Sequence, residues 1–528
     1  MTFWIVLAAL LVVVVVYDLT QKRHAILRNF PVIGHFRYLL EAVGPELRQY
    51  IVTSNDEERP FSRDQRRWVY ASAKRQNNYF GFGSDNDMER SPGYVVVKHR
   101  TLGARAGGAP AGAGAAHAGA PDRRGGTAHP EPEPDYPMPV AKVLGGPRGR
   151  AKAFRPGSIV NVSGMSFGSL SAAAVEAMNR GARLAGCLHN TGEGGIAPYH
   201  LHGGELVWQL GTGYFGARDE RGRFSMERFL EQVERHPVRA VEIKLSQGAK
   251  PGLGGVLPAA KVTREIAEIR GVPMGRDVHS PPTHAEFDSV DGMLDFVERL
   301  AEASGLPVGI KSAVGEHRFW EELALLMARG DRGVDFITID GGEGGTGAAP
   351  LAFADHVALP FKLAFARVYR IFAEAGVHER VTFIGSGKLG FPEQALLAFA
   401  LGADAINVGR EAMLAVGCIQ AQRCHTGHCP TGVATQNRWL MRGLDPTSKA
   451  ARLANYIVTL RRELYWLSRA CGVDHPALVC SDHIELLDEG LRAQSLQDVF
   501  GYRPDWGRPS DEDCRALQEP QASRRSLT

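Results

Sequence analysis

From Ser158 onward, short apolar, β-branched runs end in glycine or polar residues and alternate with longer helical stretches. The runs read SIVNVSG, CLHNTG, LVWQLGTG, AVEIKLSQG, PVGIKS, VDFITIDGG, VTFIGSG and DAINVG, which makes eight candidate strands. Strands alternating with helical segments predict parallel βα units, and eight of them fit a (β/α)8 barrel of the TIM type in the α/β class. An open doubly wound sheet is the alternative that the same alternation allows. The N-terminus follows another rule: Phe3 to Tyr17 reads FWIVLAALLVVVVVY, without a charge, before Asp18 and then Lys22, Arg23 and His24. As a helix, these residues span about 22 Å against a hydrocarbon core of roughly 30 Å, and Thr2 and the next turn extend them. The expectation is a single-pass anchor over residues 2–19 in the inner (cytoplasmic) membrane, with Lys22 and Arg23 keeping the large C-terminal part on the cytoplasmic side. A signal peptide would need a basic leading region and a small-residue cleavage site. A buried core helix is disfavoured by apolar residues on every face.

Between anchor and barrel the pattern loosens. Residues 20–100 carry aromatic residues such as Phe30, Phe36 and Tyr38 beside the mixed-charge stretch NDEERPFSRDQRR, and are expected to form a helical extension. Residues 101–136 are rich in Ala, Gly and Pro and nearly free of large apolar side chains, so they predict a flexible linker. The barrel domain is then expected over 137–490 and a C-terminal tail over 491–528. With 528 residues and 44% hydrophobic content the chain can bury a large core. A formal net charge of +3, with no basic run interleaved with aromatics, excludes a nucleic-acid-binding surface as the main function.

Polar and glycine clusters close almost every candidate strand: Met165 and Ser166, then Asn190 to Gly195, then Gln247 with Lys250, Lys311, Asp340 with Gly341 and Gly342, Gly385 to Gly387, and Gly409 with Arg410. In a barrel those ends meet on one face, where active sites lie. Any one of these glycines could merely make a turn; a ring of them points to a site. Glycines after the sixth to eighth strands let backbone N–H groups approach an anion, and Arg410 can add a bidentate charge, so a phosphorylated cofactor is expected there. GGEGGTG is neither a dinucleotide fingerprint nor a P-loop. Glu193, Gln247, Lys250 and Lys311 offer an acid, an amide and cations to an anionic substrate and an electron-rich ring, and a phosphate beside a redox centre points to a flavin.

The redox centre is suggested by Cys418, Cys424 and Cys429, three of seven cysteines, in CIQAQRCHTGHCPTGVATQ. Soft thiolates closely spaced on one loop suit an iron–sulfur cluster; a zinc site using His425 or His428 as fourth ligand stays open on spacing alone. Cys187, Cys471, Cys480 and Cys514 are scattered, which argues against a disulfide framework.

NTGEGG (Asn190 to Gly195), IKLSQGAKPGLGG (Ile243 to Gly255), SPP (Ser280 to Pro282), DGGEGGTGAAP (Asp340 to Pro350) and CPTGVATQ (Cys429 to Gln436) together resemble the FMN-binding synthase domain of the glutamate synthase family, over about Ser158 to Gln436. The resemblance implies a (β/α)8 barrel binding FMN and a three-iron, four-sulfur (3Fe-4S) cluster, an oxidoreductase that adds ammonia to 2-oxoglutarate and reduces the imine to glutamate by hydride transfer from reduced FMN. It implies Cys418, Cys424 and Cys429 as cluster ligands, and Met165, Ser166, Asn190, Gln247, Lys311, Gly341, Gly342 and Gly409 as FMN contacts. Glu193, Lys250 and Gln247 would be catalytic. Lys250 and Arg270, with Ser166, would bind the substrate, Arg270 standing outside the long motifs.

The departures shape the expectation too. The chain starts MTFW, without the amidotransferase domain of complete glutamate synthases, and too few residues follow Gln436 for their C-terminal β-helix. Val256 stands where the family often has glutamine after GG, and Glu343 where it often has aspartate. Ammonia is then expected as the nitrogen source, and an external donor, ferredoxin or a membrane redox carrier, as the source of electrons. An oxidoreductase acting on another amino or keto acid, or a noncatalytic electron-transfer subunit, are the alternatives.

Overall fold

A computed structural model describes residues 1–101, apart from 22–23, 54–56, 82, 85, 89–90 and 92, together with 137–490 and 492–517. The expected linker lies almost wholly outside the described residues. The chain divides into two units, Met1–Trp68 and Val69–Thr528, so the division falls well before the expected boundary at residue 100.

In the first unit the apolar helix Thr2–Thr20 is long and apolar enough to cross a membrane, and nearly all of it is exposed. Its end is tied down by Asp18, which accepts the backbone N–H of Val32 at 2.9 Å and meets His35 Nε2 at 2.9 Å. A second helix, Ile33–Leu47, follows.

The second unit is built on a closed barrel of eight parallel strands. They are β1 (Val160–Val162), β2 (His189–Asn190), β3 (Leu206–Leu210), β4 (Val238–Lys244), β5 (Val308–Ala313), β6 (Phe336–Asp340), β7 (Thr382–Ser386) and β8 (Ala405–Val408). Six lie within predicted runs; β4 starts at Val238, two residues before its run, and β5 ends at Ala313, one residue after its run. Closure comes from β8 on β1, with Ile406 opposite Val160 and Val408 opposite Val162. The strands are buried on both faces, as parallel strands sheathed by helices must be, which is why they read as continuous apolar runs.

Helix ends are set by local chemistry. α1 (Ala172–Ala185) starts where the Ser171 side chain accepts Ala174 N–H and stops at Gly186, whose φ of 62° few other residues adopt at low cost. Helices α2 (Met226–Arg235), α3 (Arg264–Arg270) and α4 (Val290–Ser304) begin in the same way, on Ser225, Thr263 and Ser289. No helix follows β2 directly; a single 3₁₀ turn, Pro198–His200, takes its place. The long helix α5 (Pro446–Ala470), capped by Asp445, lies along α1, close enough that a Cβ on Gly181 would come within 2.8 Å of Leu453 Cβ. The N-terminal end of the barrel is sealed by the turn joining Leu144 and Phe154, packed with Leu188, Ala240 and Phe336.

The segment expected as a C-terminal tail is folded as far as it is described. Ala493–Ser495 pairs with Ile484–Leu487, which also pairs with Tyr94–Val97, and Tyr502 and Trp506 are buried. The sequence shows both aromatic residues, but no periodicity there marks them as buried.

Candidate active site at the C-terminal rim of the barrel

All eight strands run in one direction, so the loops that follow them meet at one rim. Glycines let those loops interlock. Gly192, at φ 66°, sits so tightly on the β1 loop that a Cβ would lie 2.5 Å from Ser166 N. Gly194 and Gly211 flank Glu193 in the same way, and Gly248 abuts Gly341, whose carbonyl oxygen would lie 1.8 Å from an added Cβ.

One side of the rim is a network of charged side chains. Lys244, at the end of β4, donates to Gln247 Oε1 at 2.6 Å and pairs with Glu193 Oε1 at 3.0 Å. Burial pushes the Glu193 carboxyl up, but Lys244, helped by Lys250 and Arg270, more than offsets it and holds the group below the usual range. Lys250 is buried, donates to Ala348 O at 3.2 Å, and is lowered by burial and then by the Lys244 charge. Arg270, at the end of α3, is buried; it reaches Phe167 O at 3.0 Å and Ser166 Oγ at 3.4 Å, and its guanidinium lies over the Phe215 ring. Burial lowers it to about 10. The structure therefore gathers Ser166, Glu193, Gln247, Lys250 and Arg270. It adds Lys244, which the spacing did not single out although it lies inside IKLSQG.

The other side is built mainly from backbone. Asp340, at the end of β6, accepts Gly248 N–H at 2.9 Å and faces Lys311 Nζ at 3.6 Å, so it joins the β4 and β5 ends to the glycine loop. Gly341 N–H donates to Ser386 O at 2.9 Å and Gly342 N–H to Leu359 O at 2.8 Å. Those two amides are spoken for, so the glycines serve close packing rather than anion donation. Gly385 is crowded by Leu389 and Phe361, and Gly387 has φ 116° with Gly341 against it. Arg410, which follows Gly409, donates to Glu343 O and crosses the glycine loop at Gly345. Met165 and Asn190 complete the rim at β1 and β2; Asn190 Oδ1 accepts Gly192 N–H at 3.0 Å.

The cysteine loop follows β8 and is stitched to the β1 loop. Gln436 Nε2 donates to Gly168 O at 3.1 Å and to Leu170 O at 2.8 Å. Lys261, buried and not anticipated from the sequence, donates to Cys424 O at 2.7 Å, Ala434 O at 3.1 Å and Ser169 O at 3.2 Å. Tyr70 Oη donates to Cys418 O at 2.8 Å. Burial raises the Cys429 thiol, but hydrogen bonds from the backbone of Ala434, Thr431 and Val433 and from the Thr431 side chain bring it below its ordinary value. Cys424 is raised by burial and by Cys429, and Lys261 opposes both. Sulfur receiving backbone N–H beside a buried cation suits thiolate ligands. Among the described residues, however, no three His, Cys, Asp or Glu side chains are gathered as a metal-binding set.

Residues 150–474 match a family model described as the conserved region in glutamate synthase. The chain is 38% identical over 485 residues to the glutamate synthase large subunit-like protein YerD of Bacillus subtilis, covering 88% of this chain and 90% of that one. It is 36% identical over 350 residues to the archaeal glutamate synthase [NADPH] of Methanocaldococcus jannaschii, covering 65% of this chain and 64% of that relative's length. Among solved structures, the flavin-binding domain of baker's yeast flavocytochrome b2 is similar over 64% of this chain and 71% of that one, at 15% identity and a TM-score of 0.39. With the matched region spanning every barrel strand and the cysteine loop, the chain belongs to the glutamate synthase family.

Proposed function

We propose that this chain is an FMN and iron–sulfur oxidoreductase that reductively aminates 2-oxoglutarate, or a related 2-oxo acid, with ammonia. Family membership supports a glutamate synthase-type oxidoreductase. The observation that carries the finer reading is the convergence of Glu193, Lys244, Gln247, Lys250 and Arg270 beside Ser166 on the catalytic rim of the barrel. Two buried cations, Lys250 and Arg270, suit the two carboxylates of a dicarboxylic oxo acid. Glu193, held as a carboxylate by Lys244, can order ammonia or stabilise a cationic imine.

Met165, Ser166, Asn190, Gln247 and Lys311 would border the FMN ring, and Gly387, Gly409 and Arg410 its phosphate. The close approaches at Gly192, Gly248 and Gly387 fit a site that excludes side chains from its walls. When bound, FMN supplies the hydride; the protein's part is to orient an electron-poor acceptor against it. Cys418, Cys424 and Cys429 would hold a 3Fe-4S cluster fed by an external donor, ferredoxin or a membrane carrier. Helix Thr2–Thr20 would anchor the protein in the inner membrane with its catalytic domain in the cytoplasm, and deletion of residues 1–24 is expected to give a soluble protein in a fractionation assay.

The test is to purify the protein, record its flavin absorbance and electron paramagnetic spectrum, and mix chemically reduced protein with 2-oxoglutarate and ammonia. Rapid reoxidation is expected. No reoxidation by that pair removes 2-oxoglutarate as the substrate, and absence of flavin removes the enzyme reading. A second reading, another 2-oxo acid, is favoured by Val256, which puts an apolar side chain where the family often offers an amide; a panel of oxo acids decides between them.

A further inference from the structure

Inside the barrel, two residues before the end of β4, lies Glu242, 1% exposed. Its neighbours along the strand, Val241 and Ile243, are apolar and fully buried, so a carboxyl group at this place is costly unless its oxygens are satisfied. They are. Oε1 accepts from Asn190 Nδ2 at 2.8 Å and from Gln209 Nε2 at 2.7 Å, and Oε2 accepts from Thr338 Oγ1 at 2.6 Å. Among the described ion pairs none involves Glu242. Four strands, β2, β3, β4 and β6, thus send one polar group each to a single point on the axis.

The orientation of Asn190 is fixed independently. Its Oδ1 accepts the backbone N–H of Gly192, which can only donate, so its amide nitrogen must face Glu242. Gly164 leaves this pair room: a Cβ there would lie 2.8 Å from Asn190 Oδ1 and 2.9 Å from Gln209 Nε2. The carboxyl also borders a cavity of about 20 Å³ lined by Asn161 and Asn407. A buried acid with three donors and, among the described residues, no ion pair, fastened to a rim residue, is more than barrel filling; an apolar layer would fill the same space without a desolvation cost.

We propose that Glu242 is a positioning residue for the flavin end of the barrel: its carboxylate locks the Asn190 amide and sets a hydrogen-bonded negative charge, in no described ion pair, beneath the rim. This rests on the reading of the rim as an FMN site. Such a charge disfavours the electron-rich reduced flavin relative to the oxidised form, and so makes the reduced form a stronger donor.

The test uses the full chain with FMN and compares wild type with Glu242→Gln, which keeps the shape and removes the charge. Midpoint potential and FMN dissociation constants are measured. The ratio of affinities for reduced over oxidised FMN is expected to rise about tenfold, equivalent to about 30 mV for a two-electron couple. In an Asn190→Ala background, the part of the effect that acts through the Asn190 amide should disappear, as a double-mutant cycle reports. An unchanged ratio in Glu242→Gln overturns the proposal. If that variant does not fold, Glu242→Met, which removes the charge and fills the same space with apolar atoms, is read in its place and must shift the ratio in the same direction. Wild-type protein that takes up no FMN would instead defeat the reading of the rim, a result separate from either variant.

Discussion

The two halves of the rim grip by different means. From β1 to β4 the site is made of ionisable side chains that lean on one another, Glu193 on Lys244 and Lys244 on Gln247. From β6 to β8 it is made mostly of glycines and carbonyls pressed together, with Gly341 donating to Ser386 and Gly248 touching Gly341. A side-chain surface can be tuned in charge and reach, whereas a backbone surface is fixed in shape and fails by steric collision. On the function proposed above, the first would serve a substrate that must be bound and released, the second a resident cofactor.

The largest expected effect comes where the halves meet. Gly248→Ala would drive a Cβ to 1.8 Å from Gly341 O, and with no flexible side chain to yield, it should destabilise the protein by about 2–4 kcal/mol and deplete bound flavin. Thermal melting and flavin stoichiometry check it; a variant as stable and as yellow as wild type would break the contrast.

Lys250→Ala should leave flavin in place but cut substrate-dependent reoxidation on the order of 100-fold, the usual scale for removing one partner of a desolvated charge pair. Stopped-flow reoxidation after chemical reduction gives the number, and flavin loss in this variant would move Lys250 to the cofactor half. In the unaltered protein, anion affinity should fall as pH rises through the Lys250 value that burial has lowered from 10.5, so the alkaline limb comes earlier than for an exposed lysine.

A subtler change is Lys244→Met. Without the cation that offsets its burial, the Glu193 carboxyl should rise, so that a step needing the carboxylate is lost at higher pH on the acid side. A pH–rate profile whose acid limb stays put would mean that Glu193 does not depend on Lys244.

The smallest effect concerns stability. His284 lies between Tyr214 Oη, 3.0 Å from Nδ1, and Lys244 O, 2.9 Å from Nε2, and burial lowers it from 6.5 to about 4. Its folded value is the lower one, so the unfolded chain takes up the proton first and stability falls as pH drops from 6.5 towards 4. At pH 5.5 that cost is about 1 kcal/mol, and His284→Gln should remove it in urea melts at that pH relative to pH 7.5. An equal acid loss in both proteins would discard the assignment.

The barrel was legible because its signal is local: each strand is a short apolar run bounded by a polar or glycine end, and eight such runs leave few topologies. Arg270 could not be found that way. Only family resemblance points to it in the sequence, and α3 and the cation–π contact with Phe215 bring it to Glu193. Lys244 and Lys261 carry no such signal, because a lysine at a strand end or in a short turn has no periodic signature; their roles are defined by carbonyls and carboxylates far away in sequence. Gly341 and Gly342 looked like anion donors for the same reason, since the acceptors that occupy their amides, Ser386 and Leu359, belong to other loops. Glu242 did carry a signal, a single acid within AVEIK between fully buried neighbours, and it marked the inside of the barrel rather than its surface.

The closure of β8 on β1, with α5 lying along α1, has a consequence for how the protein is made. The first strand cannot complete its pairing until residues near 408 exist, nor can α1 be covered until residues near 470 have left the ribosome. The whole stretch from Val160 to Val408 must therefore wait with an open seam, the kind of long-range pairing that folds slowly and exposes unpaired edges. Synthesis of this chain should lean on ribosome-proximal chaperones until its last long helix emerges.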